Sequence, residues 1–277
     1  MPATTLIQKG KQLLETKQVE LVVGYTEGST PDRRRATFVR SVDAADQLVL
    51  DDKCEDNLAV YLTRPEITTG DETVAIFLQP SGIRSINILA AEGQLDPEKI
   101  VIFGFGLDAS NQVTVFDGQN VGDFTDLLKT HKTNRQTTPE RADEIEKLTA
   151  MSTKERFDYW RQQFSKCIKC YACRQACPMC YCRRCIVECN QPQWVSTSAH
   201  GLGDLEWNVV RAFHLAGRCV ECGNCERACP VNIPLGLLNS HLTQTVLDSF
   251  DYYAGLNAEQ EPTLASFKND DPENFIV

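Results

Sequence analysis

Twelve of the thirteen cysteines in this 277-residue chain fall between Cys167 and Cys229, and the remaining one, Cys54, stands alone far upstream. This crowding constrains the fold more than any other feature. Small secreted domains use cysteines as disulfide staples because they lack a large core, but a chain of this length can bury one or two cores. Stapling does not need twelve thiols in one segment, whereas metal ligation does. The expectation is a reducing-compartment, cytoplasmic protein whose cysteines remain thiolates. The N-terminal MPATTLIQKGKQLLETK lacks the apolar core and cleavage site of a signal peptide. The apolar runs 21–23, 74–78 and 100–105 are far shorter than the roughly 18–20 residues of a membrane helix. A net charge of −10 argues against nucleic-acid binding.

The cysteines form an internal repeat. CIKCYACRQACP at 167–178 matches CVECGNCERACP at 219–230, an offset of 52 residues. Both read C-x2-C-x2-C-x3-C-P, the spacing of two-cluster ferredoxins. Three cysteines at two-residue gaps let one tight loop wrap three corners of a cubane. The fourth begins a helix, and the proline after it fits a first helical turn. In two-cluster ferredoxins the fourth cysteine serves the other cluster. Transferred to this chain, Cys167, Cys170, Cys173 and Cys229 hold one 4Fe-4S cluster, and Cys219, Cys222, Cys225 and Cys177 hold a second. Four cysteines remain in this segment: Cys180, Cys182, Cys185 and Cys189. Their number suits a third cubane, a four-thiolate zinc or incomplete ligation, and all three stay open. Cys54 reads as a small buried hydrophobe.

Charge supports a redox reading. Between Cys167 and Cys229 there are seven cations (Lys169, Arg174, Arg183, Arg184, Arg211, Arg218, Arg227) against five carboxylates (Glu188, Asp204, Glu206, Glu221, Glu226), in an otherwise acidic chain. Cations near a thiolate-bound cluster stabilise it, more so when it is reduced. No P-loop or complete dinucleotide fingerprint is present; Phe103-Gly104-Phe105-Gly106 follows a strand but lacks the third glycine. The four histidines form no ligand pair, and His214 reads as a packing residue. No catalytic nucleophile or base is legible.

Around the cysteines, residues 1–130 alternate short apolar runs with helix-like stretches. They predict an α/β domain with a partly parallel sheet. Helices are expected over 5–17, 55–61 and 83–91, and strands over 21–25, 36–39, 73–78, 100–105 and 113–116. Residues 131–166 predict a helical connector, and 167–248 a mostly α-helical ferredoxin domain. In the latter, Leu205, Val209, Phe213 and Ala216 fall on one face of a helix over 204–216, and another helix spans 235–247. Residues 249–277 are expected to form a surface tail.

The continuation CERACPVNIPLGLLN at 225–239 resembles the helical dicluster ferredoxin domains of heterodisulfide reductase and related anaerobic reductases. In those domains a helix separates the two motifs. The N-terminal region resembles the beta-subunit family of deazaflavin-linked hydrogenases and formate dehydrogenases through Cys54-Glu55-Asp56-Asn57-Leu58, Gly82-Ile83-Arg84-Ser85-Ile86 and the strand 100–104. Two cysteines of that family are replaced here, within Pro80-Ser81-Gly82-Ile83 and Phe105-Gly106-Leu107-Asp108. Flavin is therefore doubtful, and the domain is expected to be a docking or degenerate flavin domain. The resemblance implies a non-catalytic electron-transfer subunit of a larger anaerobic complex. Its expected partners are other redox subunits, with no small-molecule substrate of its own. A flavin-containing reductase subunit and a zinc-stapled scaffold are the alternatives.

Overall fold

The computed structural model describes residues 3–108, 110–133, 139–189, 191–193 and 195–259. Its N-terminal part is built on a five-stranded sheet in the order β2-β1-β3-β4-β5, with β1 Leu21–Glu27, β2 Arg34–Val39, β3 Val74–Leu78, β4 Ile100–Leu107 and β5 Val113–Val115. The three central strands run parallel and the edge strands antiparallel. Strands β1 and β3 are almost continuously apolar because both faces are covered, as a parallel sheet requires. Helices α1 (Ala3–Glu15) and α2 (Pro80–Ala91) pack on it. The α/β expectation and the strand positions hold.

Gly104 and Gly106 lie inside β4 rather than after it, and the rings of Phe124 and Phe116 occupy the space their side chains would take. Packing accounts for these glycines. The helix expected over 55–61 is instead a short 3-10 segment, Leu58–Thr63. The Asn57 side chain opens it by accepting from Ala59 N at 3.1 Å.

Helix α2 joins the two halves. Gly82 through Leu89 are all buried. Ile83 and Ile86 belong to the sheet core, while Ile88 and Leu89 pack with Met179, Leu215, Val220, Tyr252 and Ala254. Helices α3 (Thr125–Thr133), α4 (Pro139–Ala150) and α5 (Thr153–Phe164) follow. The Trp160 ring stacks on that of Phe164, which is buried against the cysteine region. The C-terminal half contains the short α6 (Ala172–Gln175), α7 (Gly201–Leu215), the short α8 (Asn224–Arg227) and α9 (Leu235–Phe250).

The surface-tail expectation is corrected for residues 252–254: Tyr252, Tyr253 and Ala254 are buried. The fully buried Arg84 guanidinium donates to Ala254 O at 2.8 Å and to Tyr253 Oη at 2.9 Å, and lies 3.8 Å from the Tyr253 ring centroid. Asn87 donates to Gly255 O, and a Cβ on Gly255 would collide with the Arg84 carbonyl. Residues 260–277 lie outside the described residues.

Candidate metal centre

The two cysteine motifs fold as copies. Lys169 and Glu221, at equivalent positions, have φ of 51° and 58°; Tyr171 and Gly223 follow at 57° and 75°. Each pair is succeeded by a one-turn helix, α6 or α8. Lys169 N donates to Cys167 Sγ and Glu221 N to Cys219 Sγ, both at 3.4 Å. Left-handed residues set between right-handed ones point successive backbone N–H groups into one concavity, a geometry that accepts anionic sulfur sites. Tyr171 adopts this conformation without glycine's freedom, and its ring packs edge-on to Trp207 at 4.8 Å.

Cys167, Cys170, Cys173 and Cys229 line one cavity, walled by Ile168, Tyr171, Trp207, Val231, Ile233 and Leu235. Ile233 N donates to Cys229 Sγ at 3.4 Å. Cys170 is exposed at the rim. Burial pushes the Cys173 thiol up to about 11, so a thiolate there calls for compensating positive charge. Cys177, although in the first motif, borders the same apolar cluster as Cys180, Cys219 and Cys222. Burial pushes the Cys219 thiol up to about 12, and Asn239 Nδ2 donates to the buried Cys225 Sγ at 3.6 Å. Among the described residues no three His, Cys, Asp or Glu side chains are gathered tightly enough for a single ion; the first four cysteines surround a cavity. The soft four-sulfur donor set, the N–H groups on sulfur and that cavity fit an iron–sulfur cubane.

The third group is less complete. Cys180, Cys182 and Cys185 line a second cavity with Arg174, Arg211, Arg218, Trp207 and His214, while Cys189 is not in its lining. A hydrogen bond from Cys177 draws the Cys180 thiol down to about 6, with Arg211, Arg218 and Arg174 adding to the effect. His214, expected to pack, is exposed. Cys54 is fully buried, and burial pushes its thiol up to about 12. All thirteen cysteines are free of disulfides.

The buried face of α7 is wider than the expected one and excludes Phe213. Phe213 is 66% exposed, and the face turned inward carries Asp204, Trp207, Asn208, Arg211, Ala212 and Leu215. Of the expected face, Ala216 is buried and Leu205 and Val209 pack against an apolar cluster; apolar periodicity missed the polar part of the inward face, where Asp204, Asn208 and Arg211 replace aliphatic packing. Arg211 is 5% exposed, its Nη2 donates to Cys173 O at 3.0 Å, and its Nε is buried without a partner. Burial works against this charge, but Cys173, Cys177, Cys180 and Cys225 outweigh that cost and hold it protonated. Motif reading missed Arg211 as a site residue; its place on an otherwise amphipathic helix between two cysteine motifs was the available signal.

The N-terminal half clasps the second motif. Arg84 Nη1 donates to Val220 O, between Cys219 and Cys222, at 3.0 Å. Asn224 Oδ1 accepts from Asn57 N at 3.0 Å, and Asn57 also hydrogen-bonds Ser85. Glu92, at the end of α2, grips Arg218 through both oxygens at 2.5 and 2.6 Å and accepts from Tyr181 Oη.

Residues 166–234 match the family described as the 4Fe-4S dicluster domain. In that segment the chain is similar to iron–sulfur domains. The chain is also 31% identical over 103 residues to the F420-dependent formate dehydrogenase subunit beta of Methanocaldococcus jannaschii, covering 37% of this chain and 27% of that protein. It is 35% identical over 105 residues to the F420-dependent formate dehydrogenase 1 subunit beta of Methanococcus maripaludis, covering 38% of this chain and 26% of that protein. The chain thus spans about a quarter of the length of these relatives. Among the described residues no helix is long and apolar enough to cross a membrane.

Proposed function

We propose that this chain is a non-catalytic, cytoplasmic subunit that relays electrons between redox partners in an anaerobic complex of the formate dehydrogenase, hydrogenase or heterodisulfide reductase type. The observation that carries the reading is the pair of matching cysteine loops, one opening onto a four-cysteine cavity. Cys167, Cys170, Cys173 and Cys229 hold the first 4Fe-4S cluster, and Cys219, Cys222, Cys225 and Cys177 the second. Cys180, Cys182, Cys185 and Cys189 are the candidate ligands of a third; the cavity lined by three of them supports it. When bound, such clusters take up and pass on single electrons.

The residues of this chain supply the setting. Trp207, Ile233 and Leu235 give the first site an apolar wall, and backbone N–H groups donating to the sulfurs of Cys167, Cys219 and Cys229 favour electron-rich sulfur. The N-terminal domain serves as a docking scaffold without flavin. In support, Asn57, Arg84 and Ser85, which carry its resemblance to the beta-subunit family, are engaged with the protein's own interior.

The test is anaerobic purification from the native host with iron, sulfide and flavin analysis. About 8 iron atoms per chain, or about 12 with a third cluster, no flavin, and co-purification with a larger redox subunit are expected. A monomer that reduces a small substrate unaided, or a chain that binds zinc and no iron, would overturn the proposal.

A further inference from the structure

We propose that the third cysteine group holds an iron–sulfur cluster through Cys180, Cys182, Cys185 and His214, with Cys189 left out of the ligand set. The inference deepens the electron-relay reading and rests on it.

The donors come from one cavity. Cys180, Cys182 and Cys185 line it, Cys189 does not, and His214 supplies a fourth side chain able to ligate iron. Met179 also lines it, but its thioether is a weak donor and is buried in the apolar cluster with Ile88 and Leu89. Helix α7 brings His214 there. Trp207, Arg211 and His214, four and three residues apart, share one face of this helix, and all three line the cavity. His214 is exposed, and its backbone carbonyl accepts from Arg218 Nη1 at 3.3 Å. Among the described residues its imidazole has no hydrogen-bond partner, so a ring nitrogen is available to a metal.

A second observation points to an anion in the same cavity. Arg211 lines it and is 5% exposed, yet among the described residues no carboxylate pairs with it, and its Nε is buried without a partner. The other two arginines of the lining are already neutralised, Arg174 by Glu188 and Arg218 by Glu92. A buried guanidinium without a counter-ion is costly. A cluster held by three thiolates is net negative and supplies that counter-charge. A four-donor zinc does not suit the site, because among the described residues no three such side chains are gathered tightly enough for one ion. Donors spread around a cavity suit a cluster, in which each ligand holds its own iron.

A neutral imidazole in place of a thiolate removes one negative charge from the ligand shell. Each electron accepted from a one-electron partner adds one negative charge, with no bond made or broken. That addition is easier at this site than at a site with four thiolates, and histidine ligation raises the potential accordingly. Trp207 walls both this cavity and that of the first site, so the higher-potential centre adjoins the first cluster.

The experiment is anaerobic pulsed EPR and redox titration of the full chain, grown with ¹⁵N-histidine. It compares wild type, His214→Cys and Cys189→Ala, each with its iron content measured. Wild type should hold about 12 iron atoms, and one of its three reduced centres should show hyperfine coupling to a histidine nitrogen. His214→Cys should keep the iron, lose the coupling and lower the midpoint of that centre by about 59 mV or more, a tenfold change for a one-electron couple. Cys189→Ala should change neither iron content nor coupling. The inference is overturned by a wild type without histidine coupling, by coupling that survives in His214→Cys, or by loss of the third centre in Cys189→Ala. About 8 iron atoms in wild type, with both remaining cubane signals intact, would overturn it and leave the electron-relay reading standing. Absence of every cubane signal in wild type would instead refute the relay reading itself.

Discussion

Ile168 is 58% exposed, while Val220, its counterpart in the second motif, is 3% exposed. Cys170 stands at an open rim, and its counterpart Cys222 is half-buried beside Asn57. The backbone of the two loops is the same down to the positions of the left-handed residues. The difference therefore comes from what covers them. Arg84, Asn57 and Glu92 reach from the N-terminal domain onto the second loop or the residue that leads into it, and Tyr253 completes the clasp. One loop design thus yields an open site and a closed one when a neighbouring domain covers a single copy. On the proposed relay reading the open site is the point of exchange with a partner, because electron transfer favours the cluster nearest the surface.

The clasp can be broken in steps. Arg84→Ala removes a fully buried cation together with its bonds to Val220, Ala254 and Tyr253, and strands carbonyls in the core. It should destabilise the protein by about 3 kcal/mol or more in denaturant unfolding. It should also reverse the order of iron loss: a chelator followed by EPR should strip the first site first in wild type and the second site first in the variant. Glu92→Gln loosens the paired grip on Arg218 but keeps one acceptor. A loss of about 1–3 kcal/mol is expected, read by the same unfolding curve. Gly223→Ala tests the repeat itself. The left-handed backbone at that position penalises a Cβ by about 1–2 kcal/mol. The added methyl also meets only the flexible end of Arg227 at 2.7 Å, so the cost should stay within that range and the iron content should not change.

Much of this was legible in the chain. The β1, β3 and β4 runs announced a covered parallel sheet, and the 52-residue offset announced a structural repeat that extends to backbone conformation. The buried face of α7 was legible only in part: Leu205, Val209 and Ala216 pack inward as their spacing suggests, but hydrophobic periodicity assumes an apolar neighbour and passes over the buried Asp204, Asn208 and Arg211. The burial of Tyr252 to Ala254 escaped for a related reason. It depends on Arg84, 170 residues away from Ala254, and local composition carries no trace of so distant a partner. The third cysteine group had the right count, yet only three of its members line one cavity.

The central claim is the exchange of fourth ligands between the two motifs, and iron analysis of paired substitutions tests it most directly. With Cys177 serving the second cluster, the double variant Cys177→Ala with Cys222→Ala removes ligands from one cubane only. It should lose about 4 iron atoms per chain relative to wild type and keep the EPR signal of the first site. A loss of about 8, with both signals gone, would show that each motif closes its own cluster and would contradict the account.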